Sequence, residues 1–235
     1  MKPLWRRLTL AGAVVLVLLL LLFGLQWLMN ARSFQLFGGI TNHVETDEPK
    51  VALTFDDGPT ENVEPILELL GKYDAKATFF VIGNELESHM EEGRKIVQAG
   101  HQLGNHSYSH TRMLFNNRAF VKREVEQTNE LIRKAGFEGE IDFRPPYGKK
   151  LYSLPHYLHE HDIQTIMWNL EPDTYYTTAE EKIKAAVEGA KPGSIILLHP
   201  MYDKTGQELQ VIEGILDALS RQGYRFVTVN ELQER

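Results

Sequence analysis

The chain has 235 residues, 43% of them hydrophobic, no cysteine and a formal net charge of -7. A chain of this size can bury one sizeable core, and the lack of cysteine excludes disulfides. The negative net charge argues against nucleic acid and other polyanionic partners, because proteins that bind them usually present a basic surface. A neutral or weakly basic substrate is compatible with this charge.

The first predicted element is an apolar run without charge from Leu8 to Met29. Three basic residues precede it: Lys2, Arg6 and Arg7. A run of this length can span a bilayer core. The alternative, a cleaved signal peptide, has a shorter apolar region of about 7–15 residues and a small-x-small cleavage site. Because Met29-Asn30-Ala31 puts a large residue at that site, we predict an uncleaved single-pass anchor over residues 1–30, with the basic flank in the cytoplasm and the rest outside.

Residues 31–48 are polar, are broken by Gly38 and Gly39, and predict a tether. From residue 49 to 235, short apolar runs alternate with amphipathic stretches. This alternation predicts one α/β domain with a parallel sheet under helical cover. The strand count suits a closed barrel, and a doubly wound open sheet is the alternative.

Three helices stand out in the domain. The first covers residues 117–135, where four positions share a face: Val121, Val125, Thr128 and Ile132. The second covers 178–189, and Thr178 followed by Glu181 predicts a capping box at its start. The third covers 206–220.

Two adjacent carboxylates occur where an apolar strand ends, in the segment TFDDGP from Thr54 to Pro59. Asp56 and Asp57 therefore lie at the carboxyl end of a predicted strand, which is where α/β folds bind ligands. Neighbouring side chains of an extended chain point to opposite faces, so both can serve one site only if the turn re-aims one of them. Two turn-forming aspartates that bind their own backbone are the simpler alternative.

The segment HSYSH places His106 and His110 four residues apart, so one helical turn would bring both imidazoles to the same side. Two histidines and one carboxylate suit a catalytic metal, which has three protein ligands and an open position. A chance pair of surface histidines and a non-haem iron oxygenase triad are the alternatives.

Two more polar motifs follow apolar runs. RPPYG presents Arg144 and frees the amide of Tyr147 through a rigid proline turn, and LLHP places His199 at the end of an apolar strand. Taken alone, Arg144 is interpreted as a residue of a structural salt bridge and His199 as a polar residue that ends a strand. Together they complete a hydrolytic set.

In this order, TFDDGP, HSYSH, RPPYG and LLHP resemble the polysaccharide deacetylase family, also called the NodB-homology or carbohydrate esterase family 4 domain, over roughly residues 37–235. The resemblance implies a distorted (β/α) barrel of the NodB-homology type and metal-dependent removal of N- or O-linked acetyl groups from sugars. The implied metal ligands are Asp57, His106 and His110. The other implied roles are Asp56 as base, Arg144 as its orienter, His199 as acid, the Tyr147 amide as oxyanion donor and Leu197 as a wall of the acetyl pocket.

The sequence departs from the family pattern in MWNLEPDTY, from Met167 to Tyr175. Here we predict that Asp173 orients His199, with Glu171 as the alternative. Trp168 and Tyr175 are the predicted aromatic contacts with the sugar.

The adjacent aspartates have a physical reason. A dication neutralises the carboxylate that it binds, so the neighbouring carboxylate can remain ionised as a base. Zinc is the expected metal, and Co, Ni or Mn suit the same ligands. The expected partners are an acetylated envelope glycan, for which the predicted location favours the cell wall, and the membrane.

The alternative function is a membrane-tethered glycan-binding module without catalysis. Such a module would lack at least one of five residues, all of which are present: Asp56, Asp57, His106, His110 and His199. The sequence does not distinguish peptidoglycan from chitin-like oligomers, poly-N-acetylglucosamine or acetylated xylan, and it indicates no oligomeric state.

Overall fold

The computed structural model describes residues 4–234. Its first helix, α1, covers Leu4–Asn30, and the part from Leu8 to Asn30 has a mean hydropathy of 2.9 with none of it buried. This is long and apolar enough to cross a membrane, a test that a signal sequence also passes. The predicted basic flank begins at Lys2, which lies outside the described residues, as do the side chains of Arg6 and Arg7.

The described chain forms parallel strands in the centre of the domain. They are β1 (Ile40–Thr41), β2 (Lys50–Asp56), β3 (Ala77–Val81), β4 (Gln102–Asn105), β5 (Thr165–Ile166), β6 (Ile195–Leu198) and β7 (Arg225–Phe226). The main sheet has the order β4-β3-β2-β6, β7 pairs with the start of β2, and β1 pairs with β5. The predicted strands at IQTIMW and YRFVTV are thus only two residues long.

Single-residue bridges close this sheet into a ring. Phe143 pairs with Asn105 of β4 on one side and with Thr165 of β5 on the other. Leu170, which follows β5, pairs with Ile196 of β6. The described strands therefore form a distorted barrel, and the open-sheet alternative is wrong.

Helices cover the barrel. They are α2 (Val63–Lys72), α3 (Gly83–Ser88), α4 (Met90–Gln98), α5 (Arg118–Lys134), α6 (Ser153–Glu160), α7 (Pro172–Tyr175), α8 (Ala179–Gly189), α9 (Gln207–Arg221) and α10 (Val229–Leu232). The three long predicted helices correspond to α5, α8 and α9. The capping box between Thr178 and Glu181 is confirmed, and all four apolar-face positions of α5 are buried.

Strand β2 shows how the core is divided. Val51, Leu53 and Phe55 pack into the cluster shared with the covering helices. Ala52 belongs to a second cluster with Phe80 and Leu197, which the alternation of side chains places inside the barrel. Thr54 and Asp56 share this inner side of β2, so polar groups enter the barrel at its carboxyl end.

The segment 31–48, predicted as a tether, lies against the domain. Gln35 is buried and donates to Thr165 Oγ1 at 3.2 Å. Ile40 and Thr41 form β1 beside β5, and the Met167 amide donates to the Thr41 carbonyl at 2.7 Å. Backbone hydrogen bonds to β5 thus hold this segment to the barrel, so the ordered fold includes residues before position 49.

Candidate active site

The four sequence motifs meet at the carboxyl end of the barrel, around a cleft of about 400 Å3. Strand β2 ends there at Asp56. The next residues after β4, after the bridge residue Phe143 and after β6 also lie there; they are His106, Arg144 and His199. Parallel strands place their carboxyl ends on one side of the barrel, which explains why motifs far apart in the sequence converge.

Asp56 and Asp57 both face this cleft because the backbone turns between them. Asp56 is the last residue of β2, and Asp57 has a left-handed φ of 76°. Such a conformation is uncommon outside glycine but is tolerated by Asp. The turn thus directs the second carboxylate into the same cleft, as the TFDDGP segment required for both aspartates to serve one site.

Asp57, His106 and His110 form a compact set whose ligand atoms all lie within 4.8 Å of one another. Asp57 Oδ1 lies 3.2 Å from His110 Nε2 and 3.6 Å from His106 Nε2. This oxygen is buried and has no hydrogen-bond partner among residues 4–234. One carboxylate and two imidazoles around an unpartnered oxygen fit a divalent cation such as zinc.

The prediction that a helical turn aligns the two histidines is wrong. Residues 106–110 form a loop in which Ser107 and His110 have φ values of 66° and 55°. The His110 amide donates to Ser107 Oγ at 3.0 Å instead of continuing a helix. The imidazoles nevertheless come together, with ring centroids 4.9 Å apart.

Glu124 on α5 holds this loop, and the sequence analysis missed it. Its carboxylate accepts from the amides of Tyr108 and Ser109 at 3.1 and 2.8 Å. Glu124 is buried, and its position places it on the same helical face as Val121 and Val125. A charged residue on an apolar helix face was therefore the available signal.

Arg144 and Asp56 form a buried ion pair beside the metal-ligand set. Arg144 Nη1 donates to Asp56 Oδ1 at 2.7 Å and to Thr54 Oγ1 at 2.8 Å, and Nη2 donates to the Met167 carbonyl at 3.2 Å. The guanidinium also lies 4.0 Å from the centroid of the Phe80 ring. Burial raises the pKa of Asp56, and the charge of Arg144 opposes this shift. Asp56 is thus a fixed carboxylate with more proton affinity than an exposed one.

The free nitrogen of His106 faces the metal-ligand set. Its Nδ1 lies 2.7 Å from the carbonyl oxygen of Arg144, so Nδ1–H donates there and Nε2 stays unprotonated towards Asp57. Burial lowers the pKa of His106 to about 3, although the charge of Asp57 opposes the shift. A neutral imidazole with Nε2 free is the form that binds metals.

His199 is paired with Asp173, and its pKa is shifted in the opposite direction to that of His106. Asp173 Oδ2 accepts from the His199 amide at 2.8 Å and from Nδ1 at 2.9 Å, which leaves Nε2 for the cleft. Desolvation lowers the pKa of His199, but the hydrogen bond to Asp173 and the charges of Asp56 and Asp57 outweigh it and raise the pKa to about 9. Glu171, the alternative orienter, instead accepts from Trp168 Nε1 at 2.9 Å and from Thr174 Oγ1 at 2.7 Å.

The four predicted substrate-binding residues divide between two pockets. Leu197 and Trp168 are buried and line the cleft, and Tyr147 projects into solvent at its edge with its ring centroid 4.6 Å from that of His110. Tyr175 lies outside this cleft, in a neighbouring pocket that shares Arg32 and Glu171 with it. The cleft is also lined by residues that the sequence analysis did not single out: Asn30, Arg32, Lys149, Met167 and Thr174.

Comparison with known proteins gives a consistent result. A family model described as polysaccharide deacetylase matches residues 43–166. The chain is 32% identical over 199 residues to a peptidoglycan-N-acetylglucosamine deacetylase of Bacillus cereus, a match that covers 83% of this chain and 93% of that protein. It is 34% identical to a bifunctional xylanase/deacetylase of Pseudobutyrivibrio xylanivorans, covering 78% of this chain but only 30% of that longer protein.

Solved structures share the fold. A peptidoglycan N-acetylglucosamine deacetylase superposes with a TM-score of 0.76 at 27% identity, covering 81% of this chain and 91% of the other. A CE4-family pseudoenzyme from Bacillus anthracis superposes with a TM-score of 0.72 at 27% identity, covering 81% of this chain and 67% of the other.

Proposed function

The chain belongs to the polysaccharide deacetylase family, and on that premise we propose that it removes acetyl groups from the sugars of a cell-wall polysaccharide in a metal-dependent reaction. The observation that carries this proposal is the meeting of three groups in one cleft. They are the Asp57, His106 and His110 set, the Asp56–Arg144 pair and the Asp173–His199 pair.

Asp57, His106 and His110 would hold the metal. When bound, a divalent cation supplies Lewis acidity to the acetyl carbonyl and to the water that attacks it. The unpartnered Oδ1 of Asp57 and the neutral Nε2 of His106 suit this role.

Asp56 accepts a proton from the attacking water. Arg144 fixes the carboxylate in position through a hydrogen bond at 2.7 Å, and burial keeps its proton affinity above that of an exposed aspartate. A positioned base with a raised pKa accepts the proton more favourably in the transition state.

His199 donates a proton to the leaving nitrogen, because an amide anion cannot leave. Its Nδ1 is occupied by Asp173, so Nε2 holds the proton that is transferred. A pKa of about 9 keeps the imidazole protonated at neutral pH. The pKa values of the base and the acid are thus both raised, that of Asp56 by burial and that of His199 by its hydrogen bond to Asp173 and the charges of the nearby aspartates.

Tyr147 and Leu197 shape the acetyl site. The left-handed φ of 57° at Tyr147 turns its backbone at the edge of the cleft, where its amide donates to the developing oxyanion. Such a donor is typically worth about 3 kcal/mol in the transition state. The buried side chain of Leu197 provides an apolar wall for the methyl group, and Trp168 contacts the sugar.

For the substrate, we propose an N-acetylglucosamine residue of peptidoglycan. The support is the Bacillus cereus relative, over nearly its whole length, together with the location predicted for the domain. In the proposed topology, residues 1–30 are a single-pass anchor and the catalytic domain, residues 49–235, lies outside the cell. The cleft is then on the side of the membrane where the wall lies.

The test is acetate release by the purified full chain from a panel of defined glycans: peptidoglycan fragments, chitin oligomers, poly-N-acetylglucosamine and acetylated xylan. We expect the highest rate on peptidoglycan fragments, loss of activity on chelation, and recovery on addition of zinc. Binding of the fragments without acetate release, in protein loaded with metal, would support the glycan-binding module instead.

A further inference from the structure

The apolar helix ends at the mouth of the cleft. Asn30 is the last residue of α1 and lines the cleft together with the catalytic groups. Lys149, another lining residue, donates through Nζ to Asn30 Oδ1. The candidate membrane span also ends at Asn30, so no residue separates the span from the site.

The chain that leaves α1 is fixed to the domain at once. Ala31 is buried, and its carbonyl accepts from Lys150 Nζ. Arg32 pairs with Glu171 at 2.5 Å, and its guanidinium lies 4.8 Å from the centroid of the Trp168 ring. With hydrogen bonds and an ion pair at three successive residues, the cleft has little freedom to move away from the end of the helix.

Exposed apolar side chains flank this junction, and we call Trp27, Phe34, Leu36 and Tyr152 the junction patch. Trp27, Phe34 and Leu36 lie near the junction in the sequence, and the ring of Tyr152 packs edge-on against Phe37, with centroids 5.2 Å apart. Each exposes more than two fifths of its surface: 56%, 46%, 43% and 55%. Trp27 of α1 stacks on Phe34 with centroids 5.8 Å apart, so the patch continues the apolar surface of the helix. Trp and Tyr side chains favour the interface between lipid and water.

We propose that the junction patch docks on the outer interfacial layer of the membrane that α1 enters, so that the cleft opens at the bilayer surface. The inference rests on the proposed anchor. It defines the substrate further as an acetylated glycan that lies at the membrane surface. The nearby Lys149 adds an attraction for anionic headgroups, since its partner Asn30 carries no charge.

The natural lack of cysteine allows a direct test with single-cysteine variants of the full chain. Leu36→Cys and Tyr152→Cys report on the patch. Gln222→Cys, exposed after α9 at the opposite end of the barrel, is the matched control, and Val15→Cys reports on α1. Each variant is labelled with an environment-sensitive fluorophore and reconstituted in phosphatidylcholine–phosphatidylglycerol vesicles that contain a lipid with a nitroxide on its headgroup.

We expect the nitroxide to quench the labels at positions 36 and 152 strongly and to leave the label at 222 unchanged. The label at position 15 should show the blue-shifted emission of a hydrocarbon environment. Patch labels as bright as the control, with a blue-shifted label at 15, would overturn the docking while the anchor stands. A label at 15 in a water-like environment would overturn the anchor itself, and the docking with it.

Discussion

His106 and His199 face the same cleft, yet their surroundings drive their pKa values in opposite directions. Burial lowers the pKa of His106 to about 3, although the charge of Asp57 and the hydrogen bond to the Arg144 carbonyl oppose this shift. By contrast, Asp173 and the nearby aspartates overcome desolvation and raise the pKa of His199 to about 9. One imidazole is thereby kept neutral, as a metal ligand must be, and the other is kept protonated, as an acid must be.

The two sides also differ in how they are built. His106 follows β4, is fully enclosed, and belongs to a loop pinned by Glu124. His199 follows β6, but its side chain is 36% exposed and its partner Asp173 lies on the short α7. The enclosed side of the cleft, proposed to bind the metal, thus faces a more accessible side, proposed to donate the proton.

The largest effect is expected on the metal-binding side, from Asp57→Asn. A neutral amide is a poor ligand for a dication, so both bound metal and acetate release should be lost. Metal analysis and an activity assay on the same preparation measure this. Asp74→Asn is the matched control, since Asp74 is an exposed aspartate with a similar left-handed φ of 49°. Full metal content in Asp57→Asn would show that Asp57 is not a metal ligand.

On the proton-donating side, His199→Gln should lower turnover of amide substrates by roughly 10² to 10⁴ while the metal content stays unchanged. An activated aryl acetate has a leaving group that needs no proton, so its hydrolysis should fall much less. Equal losses on both substrates would contradict the role of acid.

Glu124→Gln tests whether Glu124 positions the loop that carries the proposed ligands His106 and His110. The amide keeps the size of the side chain but weakens its hydrogen bonds to Tyr108 and Ser109, and the metal affinity should fall by about 10- to 100-fold. Competition with a chromophoric chelator measures the affinity. Glu130→Gln, at an exposed position of the same helix, should have no effect. If both variants bind equally, Glu124 does not position the ligand loop.

The smallest effect is expected from Asp173→Asn, and it depends on pH. Without that carboxylate the pKa of His199 should fall from about 9 towards its ordinary value of 6.5, so the alkaline limb of kcat/KM moves to lower pH. The rate should fall by about tenfold at pH 8 and change little at pH 6, where His199 stays protonated. An unchanged alkaline limb would assign the orienting role elsewhere.

The parts that could be predicted are those set locally. The apolar strand before Asp56, the capping box at Thr178 and the apolar face of α5 each depend on near neighbours in the sequence. The order of the motifs at strand ends was enough to predict that Asp57, His106 and Arg144 meet, because parallel strands place their carboxyl ends on one side.

The parts that could not be predicted depend on contacts between distant segments. The left-handed residues Ser107 and His110 are held by Glu124, which lies on a helix that follows later in the chain. Likewise, the short β1 forms only because β5 offers it a partner. Asp173 and Glu171 lie only two positions apart in the sequence, so the sequence alone does not show which of them orients His199. The fold decides, because it places His199 beside Asp173 on α7.

Asp56→Asn most directly tests the proposed division between base and metal ligand, because Asp56 lies beside the three proposed ligands and is not proposed to bind the metal. Metal content and turnover are measured on one preparation, with thermal unfolding as a check. We predict that metal remains while turnover falls by roughly 10² to 10⁴. Since the change leaves the buried Arg144 unpaired, the double variant Asp56→Asn/Arg144→Met, which removes both charges, serves as the folding control. Near-native turnover of Asp56→Asn, or loss of its metal, would contradict the division between the base and the ligand.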